Sequence, residues 1–249
     1  MKIGIAQIKP SKGNIQENIQ IHKKWIEASI SEKVDIIVFP ELSLTGYEPE
    51  LAQELALEIN DVRLDEFQKL SDQNNITIGL GIPFKKALGI SIGMVIFQPK
   101  QSRIIYSKQR LHPDELPYFI EGEEQVVVNV KNHKIAPAIC FESLQEDHAE
   151  NAQKLGAEIY LASVAKSENG IKKAYEHYPK IARKFSMPIL MANCFGFCDN
   201  YFSAGQSAVW NKEGKILEKL KKDSEGLLVF DTEIGEVINN KLKCLNNRG

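Results

Sequence analysis

Cysteine is scarce in this chain, with four among 249 residues. They are Cys140, Cys194, Cys198 and Cys244. So few thiols in a chain of this length argue against a disulfide framework, which is a device of small secreted domains. We therefore expect reduced thiols, and the sequence leaves the roles of the last three open.

Two further absences concern membranes and nucleic acids. No apolar run approaches the ~18 residues that span a bilayer, and residues 1–8 turn polar too early for the apolar core of a signal peptide. The 31 Lys and Arg nearly balance the 33 Asp and Glu, for a formal net charge of −2. Because there is neither a basic stripe nor a basic amphipathic helix, we expect a cytoplasmic protein with no nucleic-acid partner and no membrane partner.

The chain also lacks internal repeats, low-complexity segments and a linker rich in Pro, Gly or Ser. Its 43% hydrophobic and 26% charged residues are ordinary for a globular protein. We therefore expect a single domain over residues 1–249, with a core at about 2–231 and a C-terminal extension at 232–249.

What is present is an alternation of Ile- and Val-rich runs with amphipathic helical patterns. Strands are predicted at residues 2–8, 34–39, 76–82, 90–98, 103–107, 125–130, 134–139, 158–162, 188–193, 207–210 and 215–220, and a last one at 226–231. Helices are predicted from a cap at Asn14, over 51–74 with a break near 60–61, over 143–155, and over 171–185 with a kink or division at Pro179. On the first helix, His22 is expected to be a packed histidine. The alternation predicts α/β layers, and its hairpin-like pairs favour a mixed-sheet sandwich.

Cys140 ends one of the apolar runs. Ser143 and Glu146 have the spacing of a capping box, which predicts a helix beginning at Ser143. Cys140 would then lie in a strand-to-helix turn near the positive end of a helix dipole. That placement predicts a lowered pKa and a reactive thiolate.

Two other strand ends carry ionisable groups. Glu41 follows a buried-type strand, where a carboxylate with a raised pKa can act as a general base; a capping role in the loop is the plain alternative. Lys108 follows another strand, where it can stabilise an oxyanion; a surface lysine is the plain alternative.

Taken together, these segments resemble the nitrilase superfamily of carbon–nitrogen hydrolases. Residues 39–47 (FPELSLTGY) are similar to its glutamate motif, residues 106–111 (YSKQRL) to its lysine motif and residues 139–142 (ICFE) to its nucleophile motif. The order and intervals also match, and the resemblance covers residues 2 to about 231. Further agreement comes from Glu115, 118–119, Gly122, 189–193, Gly205 and Ser207.

The resemblance implies a fold and roles for individual residues. The family fold is a four-layer α-β-β-α sandwich with two mixed sheets, commonly paired through an outer helical face, so we expect a homodimer or higher homo-oligomer. Cys140 corresponds to the nucleophile, Glu41 to the general base and Lys108 to the oxyanion stabiliser. Glu115 is similar to an additional glutamate that positions the lysine and substrate, and Phe141 would offer its backbone N–H to the oxyanion.

The pocket is expected to take shape from Tyr47, Tyr118, Phe119, Phe141 and residues 163–169. The reaction that the resemblance implies is hydrolysis of a small non-peptide amide, of the omega-amidase or carbamoyl type. It passes through a thioester, releases ammonia or an amine, and requires neither a metal nor an organic cofactor.

Some alternatives remain within the family. A nitrilase uses the same three residues on a nitrile, and an acyltransferase would deliver the thioester to an amine, although the family's lipid-modifying acyltransferases carry membrane helices. The glutamate motif is also similar to that of the glutaminase domains of glutamine-dependent NAD synthetases, a role that would require a separate ATP-using partner. Residues 141–146 lack the arginine and proline of many relatives and residues 162–166 also depart from them, which leaves the substrate class open.

A different class of protein also remains open. Cys194 and Cys198 have the spacing of half a zinc site in a scaffold protein. No second Cys/His pair follows to complete four ligands, so we expect two packed or loop thiols. A relative that only binds ligands is disfavoured because all three catalytic residue types are present.

Overall fold

The computed structural model of the chain describes residues 1–240. Its α-helices over this range are α1 Ile15–Ser31, α2 Ala52–Leu55, α3 Asp65–Asn74, α4 Glu146–Lys154 and α5 Glu168–Phe185. Its strands are β1 Lys2–Gln7, β2 Ile36–Val38, β3 Thr77–Lys86, β4 Gly89–Phe97, β5 Ile104–Ser107, β6 Val128–Val130, β7 His133–Ile139, β8 Ile159–Val164, β9 Ile189–Asn193, β10 Phe195–Cys198, β11 Tyr201–Ala204, β12 Ala208–Trp210, β13 Ile216–Lys219, β14 Gly226–Asp231 and β15 Glu236–Asn240. Short 3₁₀ helices lie at Pro49–Leu51, Val62–Leu64 and Cys140–Leu144.

Most strands belong to two mixed sheets. The first has the order β15-β14-β1-β2-β3-β4-β5, and the second has the order β13-β12-β9-β8-β7-β6. The central strands of each sheet run parallel, β1 to β3 in the first and β7 to β9 in the second. The flanking strands pair antiparallel, and β10 and β11 form a separate antiparallel ribbon.

Four layers follow from where the apolar side chains lie. Ile3 and Ile5 of β1 pack between the two sheets, in one core with Leu161 and Leu190 of the second sheet. A second core joins the first sheet to α1 and α3, and a third joins the second sheet to α4 and α5. Because alternate residues of a strand face opposite sides, each sheet supplies two cores. The predicted α-β-β-α sandwich is confirmed.

Two helix predictions need correction. No α-helix begins at Ser143: residues 140–144 form the 3₁₀ turn, and α4 begins at Glu146. The Ser143 hydroxyl donates to Cys140 O and lies 2.7 Å from the Tyr178 hydroxyl, so it is not a helix cap. Pro179 does not divide α5, which runs without interruption over eighteen residues. The buried face of α5 continues past the proline, and this packing outweighs the lost backbone hydrogen bond.

Three strands were not predicted: β10, β11 and β15. The assignment of 226–231 as the last strand is wrong, because β15 follows β14 and pairs with it, inside the stretch expected to be a C-terminal extension. β10 and β11 are held by bonds to distant segments, from Phe195 N to Ile8 O (3.1 Å) and from Ala204 N to Lys166 O (2.9 Å). Such pairing depends on tertiary context that local sequence does not contain. Cys244 lies outside the described residues.

His22 is a packed histidine, as predicted. It is fully buried, with Nδ1 2.6 Å from Asn18 O and Nε2 2.9 Å from Ser43 Oγ. Burial lowers the pKa of its imidazole to about 4, which keeps the ring neutral at physiological pH. Within residues 1–240, no helix has the length and apolar content needed to cross a bilayer.

Candidate active site

Glu41 lies in a turn just beyond β2, and the turn rests directly on β3. Leu44 N donates to Gly81 O at 3.0 Å. A Cβ on Gly81 would lie 2.3 Å from Leu42 N, so only glycine permits this close approach. The Glu41 side chain is thereby held in the interior, where the residue is 1% exposed.

Lys108 is fixed just beyond β5 in a similar way. Its N–H donates to Ile92 O at 2.8 Å, and its carbonyl accepts from Gly122 N at 2.7 Å. A Cβ on Gly122 would lie 2.1 Å from Ser107 O, so this glycine also makes room for a close backbone approach. The Lys108 side chain is fully buried.

The Lys108 ammonium joins two carboxylates. It donates to Glu41 Oε1 at 2.8 Å and to the two oxygens of Glu115 at 2.6 and 2.8 Å. Glu115 is held in turn by the Tyr47 hydroxyl at 2.9 Å and by His112 N at 2.7 Å. Burial acts to lower the pKa of Lys108, but the charges of Glu41 and Glu115 outweigh it and raise the pKa above the ordinary value. The lysine is therefore a fixed cation.

Glu41 has the character of a proton acceptor. Burial raises its pKa against the opposing charge of Lys108, and hydrogen bonding with Cys140 is a weaker influence in the same direction as the lysine. Lys108 takes only the first oxygen, Oε1, so the second oxygen, Oε2, is buried and open to the Cys140 thiol. A carboxylate with a raised pKa and an unengaged oxygen beside a thiol is suited to take the thiol proton.

Cys140 follows β7 at the start of the 3₁₀ turn, with φ at +46°. Such a backbone is unusual for a residue other than glycine and costs on the order of 1–3 kcal/mol, strain that concentrates at functional sites. The sulfur lies 3.9 Å from Ala165 O and 3.7 Å from Lys166 Nζ. Glu41, Lys108 and Glu115 all lie close enough for their charges to act on the Cys140 thiol, so three segments remote in sequence share one site.

The predicted lowering of the Cys140 pKa is wrong. Burial raises the pKa of the thiol to about 12, and the charge of Glu41 adds to the effect, while Lys166 and Lys108 oppose it. The expected helix start is a short 3₁₀ turn, whose dipole is too small to reverse these effects. The resting cysteine is therefore a thiol, and its activation requires transfer of the proton to a base.

Glu142 was not assigned a role from the sequence, yet it connects the nucleophile turn to the lysine segment. Its Oε1 accepts from Tyr106 OH and from Ile139 N, both at 2.6 Å, and its Oε2 accepts from Gln109 N at 2.6 Å. Burial raises the pKa of this carboxyl to about 7. The sequence did offer a signal for Glu142: it is an acidic residue two positions after Cys140, at the end of a buried run.

A cavity of about 580 Å³ opens above Cys140, a size typical of small-ligand sites. It is lined by Tyr47, Glu115, Cys140 and Phe141 of the predicted site, and by Ala165, Lys166 and Ser167 of the predicted pocket segment. Tyr118 is not brought to this cavity: it is 39% exposed and lies outside the lining. Tyr201 lines the cavity without having been singled out, and Lys166 was expected there as one residue of the pocket segment, with no role of its own.

Cys194 and Cys198 are both buried, with their sulfurs 3.7 Å apart. The Cys194 sulfur also lies 3.2 Å from Ser203 Oγ. Within the described part of the chain, no three His, Cys, Asp or Glu side chains are grouped so as to hold a metal ion. Cys198 is the last residue of β10, and Cys194 immediately precedes that strand.

Residues 2–239 match the family model of carbon-nitrogen hydrolases. The chain belongs to this family. The match spans almost the whole sequence, so the chain is a carbon–nitrogen hydrolase.

Similar proteins span several branches of the superfamily. The glutamine-dependent NAD(+) synthetase of Aquifex aeolicus is 27% identical over all of this chain, which covers 45% of that protein. The chain thus spans about half the length of these synthetases. Nitrilase 2 of Arabidopsis thaliana is 24% identical over 88% of this chain and 76% of its own. The solved amidase from Nesterenkonia sp. is 19% identical with a TM-score of 0.83, covering 92% of this chain and 89% of that one, a likeness of fold.

Proposed function

We propose that this carbon–nitrogen hydrolase is a cysteine-dependent amidase that cleaves small non-peptide amides through a thioester. The convergence of Glu41, Lys108 and Glu115 on Cys140, at the base of a cavity of small-molecule size, carries this proposal. The similarity to a solved amidase, to nitrilases and to a synthetase that uses glutamine is compatible with it. Omega-amides and carbamoyl amines are the substrate types expected.

In the acylation half, Glu41 takes the proton of the Cys140 thiol as the sulfur attacks the amide carbonyl carbon. Lys108 and the backbone N–H of Phe141 stabilise the oxyanion. The proton then passes from Glu41 to the nitrogen, the C–N bond breaks, and ammonia or an amine leaves. A thioester on Cys140 remains.

In the deacylation half, Glu41 takes a proton from water, whose oxygen attacks the thioester carbonyl. The C–S bond breaks, a carboxylic acid leaves, and the proton returns to the Cys140 sulfur. Glu115 positions Lys108 throughout, because its two oxygens hold the ammonium. No step consumes an oxidant, a reductant or ATP.

A substrate panel tests the proposal. Small amides, carbamoyl amines, nitriles and glutamine are incubated with the protein, and ammonia release is measured. We expect turnover of at least one amide class by the wild-type chain and none by Cys140→Ala, with the same circular dichroism spectrum for both. Turnover of nitriles alone would favour the nitrilase alternative, and appreciable activity in Cys140→Ala would refute the assignment. A homodimer and a cytoplasmic location stay predictions.

A further inference from the structure

A second lysine, Lys166, points at the sulfur of Cys140. It lies between β8 and α5 and is 4% exposed. Its ammonium is 3.7 Å from Cys140 Sγ and 3.2 Å from Cys140 O. Both of the atoms to which it donates within residues 1–240 belong to Cys140, and none of the ion pairs in that range includes it. A buried ammonium without a carboxylate partner calls for an explanation.

The backbone holds Lys166 firmly in this position. Its N–H donates to Asn193 Oδ1 at 2.8 Å, and its carbonyl accepts from Ala204 N at 2.9 Å, from Asn193 Nδ2 and from Ser203 Oγ. Gly170 on α5 faces the lysine stem, and a Cβ there would lie 3.1 Å from Lys166 Cβ. The fold therefore fixes the base of the side chain and leaves space for its stem beside the nucleophile.

Charge balance indicates what the ammonium does. Lys108 is already engaged by two carboxylates, Glu41 and Glu115, so these three groups carry one excess negative charge. When the Cys140 proton moves to Glu41, the new negative charge is on sulfur, beside Glu115. Lys166 brings the sum of these groups to zero and donates directly to the sulfur, whereas the hydrogen bonds of the Lys108 ammonium go to the two carboxylates.

We propose that the Lys166 ammonium is the counter-ion of the Cys140 thiolate, both when the sulfur attacks and when it leaves in deacylation. In accord with this, Lys166 lowers the pKa of Cys140 more than Lys108 does. The other groups that interact electrostatically with this sulfur are Glu41, Glu115, Tyr47, Tyr178 and Tyr201. His177 lines the same cavity, and burial lowers the pKa of its ring.

The inference rests on the proposed function because it takes Cys140 as the nucleophile. Its test, however, uses no amide. The rate at which iodoacetamide alkylates Cys140 is measured at a fixed pH near neutrality, where lysine ammonium groups keep their protons, and peptide mass spectrometry separates Cys140 from the other three thiols. Because the thiolate is the reactive form, this rate reports the thiolate fraction whether or not any amide is hydrolysed.

An opposite charge at this range lowers a pKa by about 1–3 units. We therefore expect Lys166→Met to slow alkylation at this pH about tenfold, which corresponds to a thiol pKa raised by about one unit. Lys166→Arg, which keeps the charge, should retain the wild-type rate. Lys172→Met removes an exposed charge from the adjoining helix α5 and should change nothing.

An unchanged alkylation rate in Lys166→Met, with a wild-type melting curve, would overturn the inference. Lys166→Gln gives the same readout should the methionine variant fail to fold. Slowed alkylation in Lys166→Met, for a wild-type chain that hydrolyses no amide, would support the counter-ion and contradict the proposed function. An unchanged rate in Lys166→Met, for a wild-type chain that is an active amidase, would contradict the counter-ion and support the proposed function.

Discussion

At the scale of single residues, the site depends on a proton that can move between a half-buried thiol, Cys140, and a buried carboxylate, Glu41. The pKa of the Cys140 thiol is raised to about 12, and that of Glu41 is also raised, both chiefly by burial. A thiol that holds its proton and a carboxylate able to accept one are suited to concerted transfer as the sulfur attacks. Replacing Lys108 with an uncharged residue would leave two buried carboxylates without their partner, which would lower the free energy of unfolding by about 3–5 kcal/mol.

Glu41→Gln tests the base. We expect turnover to fall by about 10²–10⁴-fold, because an amide cannot accept the thiol proton. In the wild type, the base must be ionised, so kcat/KM should fall as pH decreases through the raised pKa of Glu41, above the ~4.3 of an ordinary glutamate. Steady-state kinetics against pH measure both effects.

Glu48→Gln is the matched control for this variant. Glu48 is also a buried carboxylate paired with a lysine, Lys12, at 2.8 Å, but it lies outside the cavity lining. The turnover of Glu48→Gln, and the fall of its kcat/KM as the pH decreases, should match those of the wild type. Near-wild-type turnover in Glu41→Gln would contradict the assigned role.

At the scale of elements, two glycines place the catalytic side chains. Gly81 lets the Glu41 turn rest on β3, and Gly122 lets its own segment press against the end of β5 beside Lys108. Neither position tolerates a Cβ, since each would meet backbone atoms closer than 2.5 Å. The site is thus positioned by backbone-to-backbone contact between neighbouring elements.

Gly81→Ala should therefore displace the Glu41 turn and lower kcat/KM about a hundredfold, the scale expected for a misplacement of about 1 Å. Gly79→Ala on the same strand is the control, because its Cβ would meet the side chains of Met94 and Val38 at 3.2 Å, which can shift slightly. Kinetics and circular dichroism on both variants provide the check. Equal activities would show that close packing at Gly81 does not position the base.

The sequence predicted these elements unevenly. Glu41, Lys108 and Cys140 could be named because strand ends and family motifs coincide there. Lys166 was expected in the pocket segment 163–169 but could not be given a role, because its burial depends on β10 and β11, whose pairing is set by distant segments. Helix α4 began three residues later than its capping signal, because the Ser143 hydroxyl bonds Cys140 O and lies beside the Tyr178 hydroxyl.

At the scale of the whole molecule, the two sheets share one central core, while each has its own outer core against helices. The two tryptophans lie in the opposite outer cores. Trp25 of α1 packs in the outer core of the first sheet, and Trp210 of β12 packs in the outer core of the second sheet. Both side chains are buried. The residues proposed to be catalytic come from both sheets, Glu41 and Lys108 from the end of strands in the first and Cys140 from the end of a strand in the second, so the site requires the sheets to stay together.

A single domain should therefore unfold as one unit. Trp25→Phe and Trp210→Phe each leave one tryptophan as a reporter of one outer layer. We expect the urea midpoint of each variant, followed by fluorescence, to coincide with its own midpoint followed by circular dichroism. Fluorescence midpoints that depart in opposite directions from those of circular dichroism would indicate two independently unfolding halves.

The central claim is that an acyl group is carried on the sulfur of Cys140. Rapid mixing with an amide that the chain hydrolyses, followed by acid quench and peptide mass spectrometry, tests it most directly. The account predicts that the peptide containing Cys140 gains the mass of the acyl group while ammonia or an amine is released, and that Cys140→Ala gains none. Hydrolysis by the wild type with the adduct on another residue would contradict it.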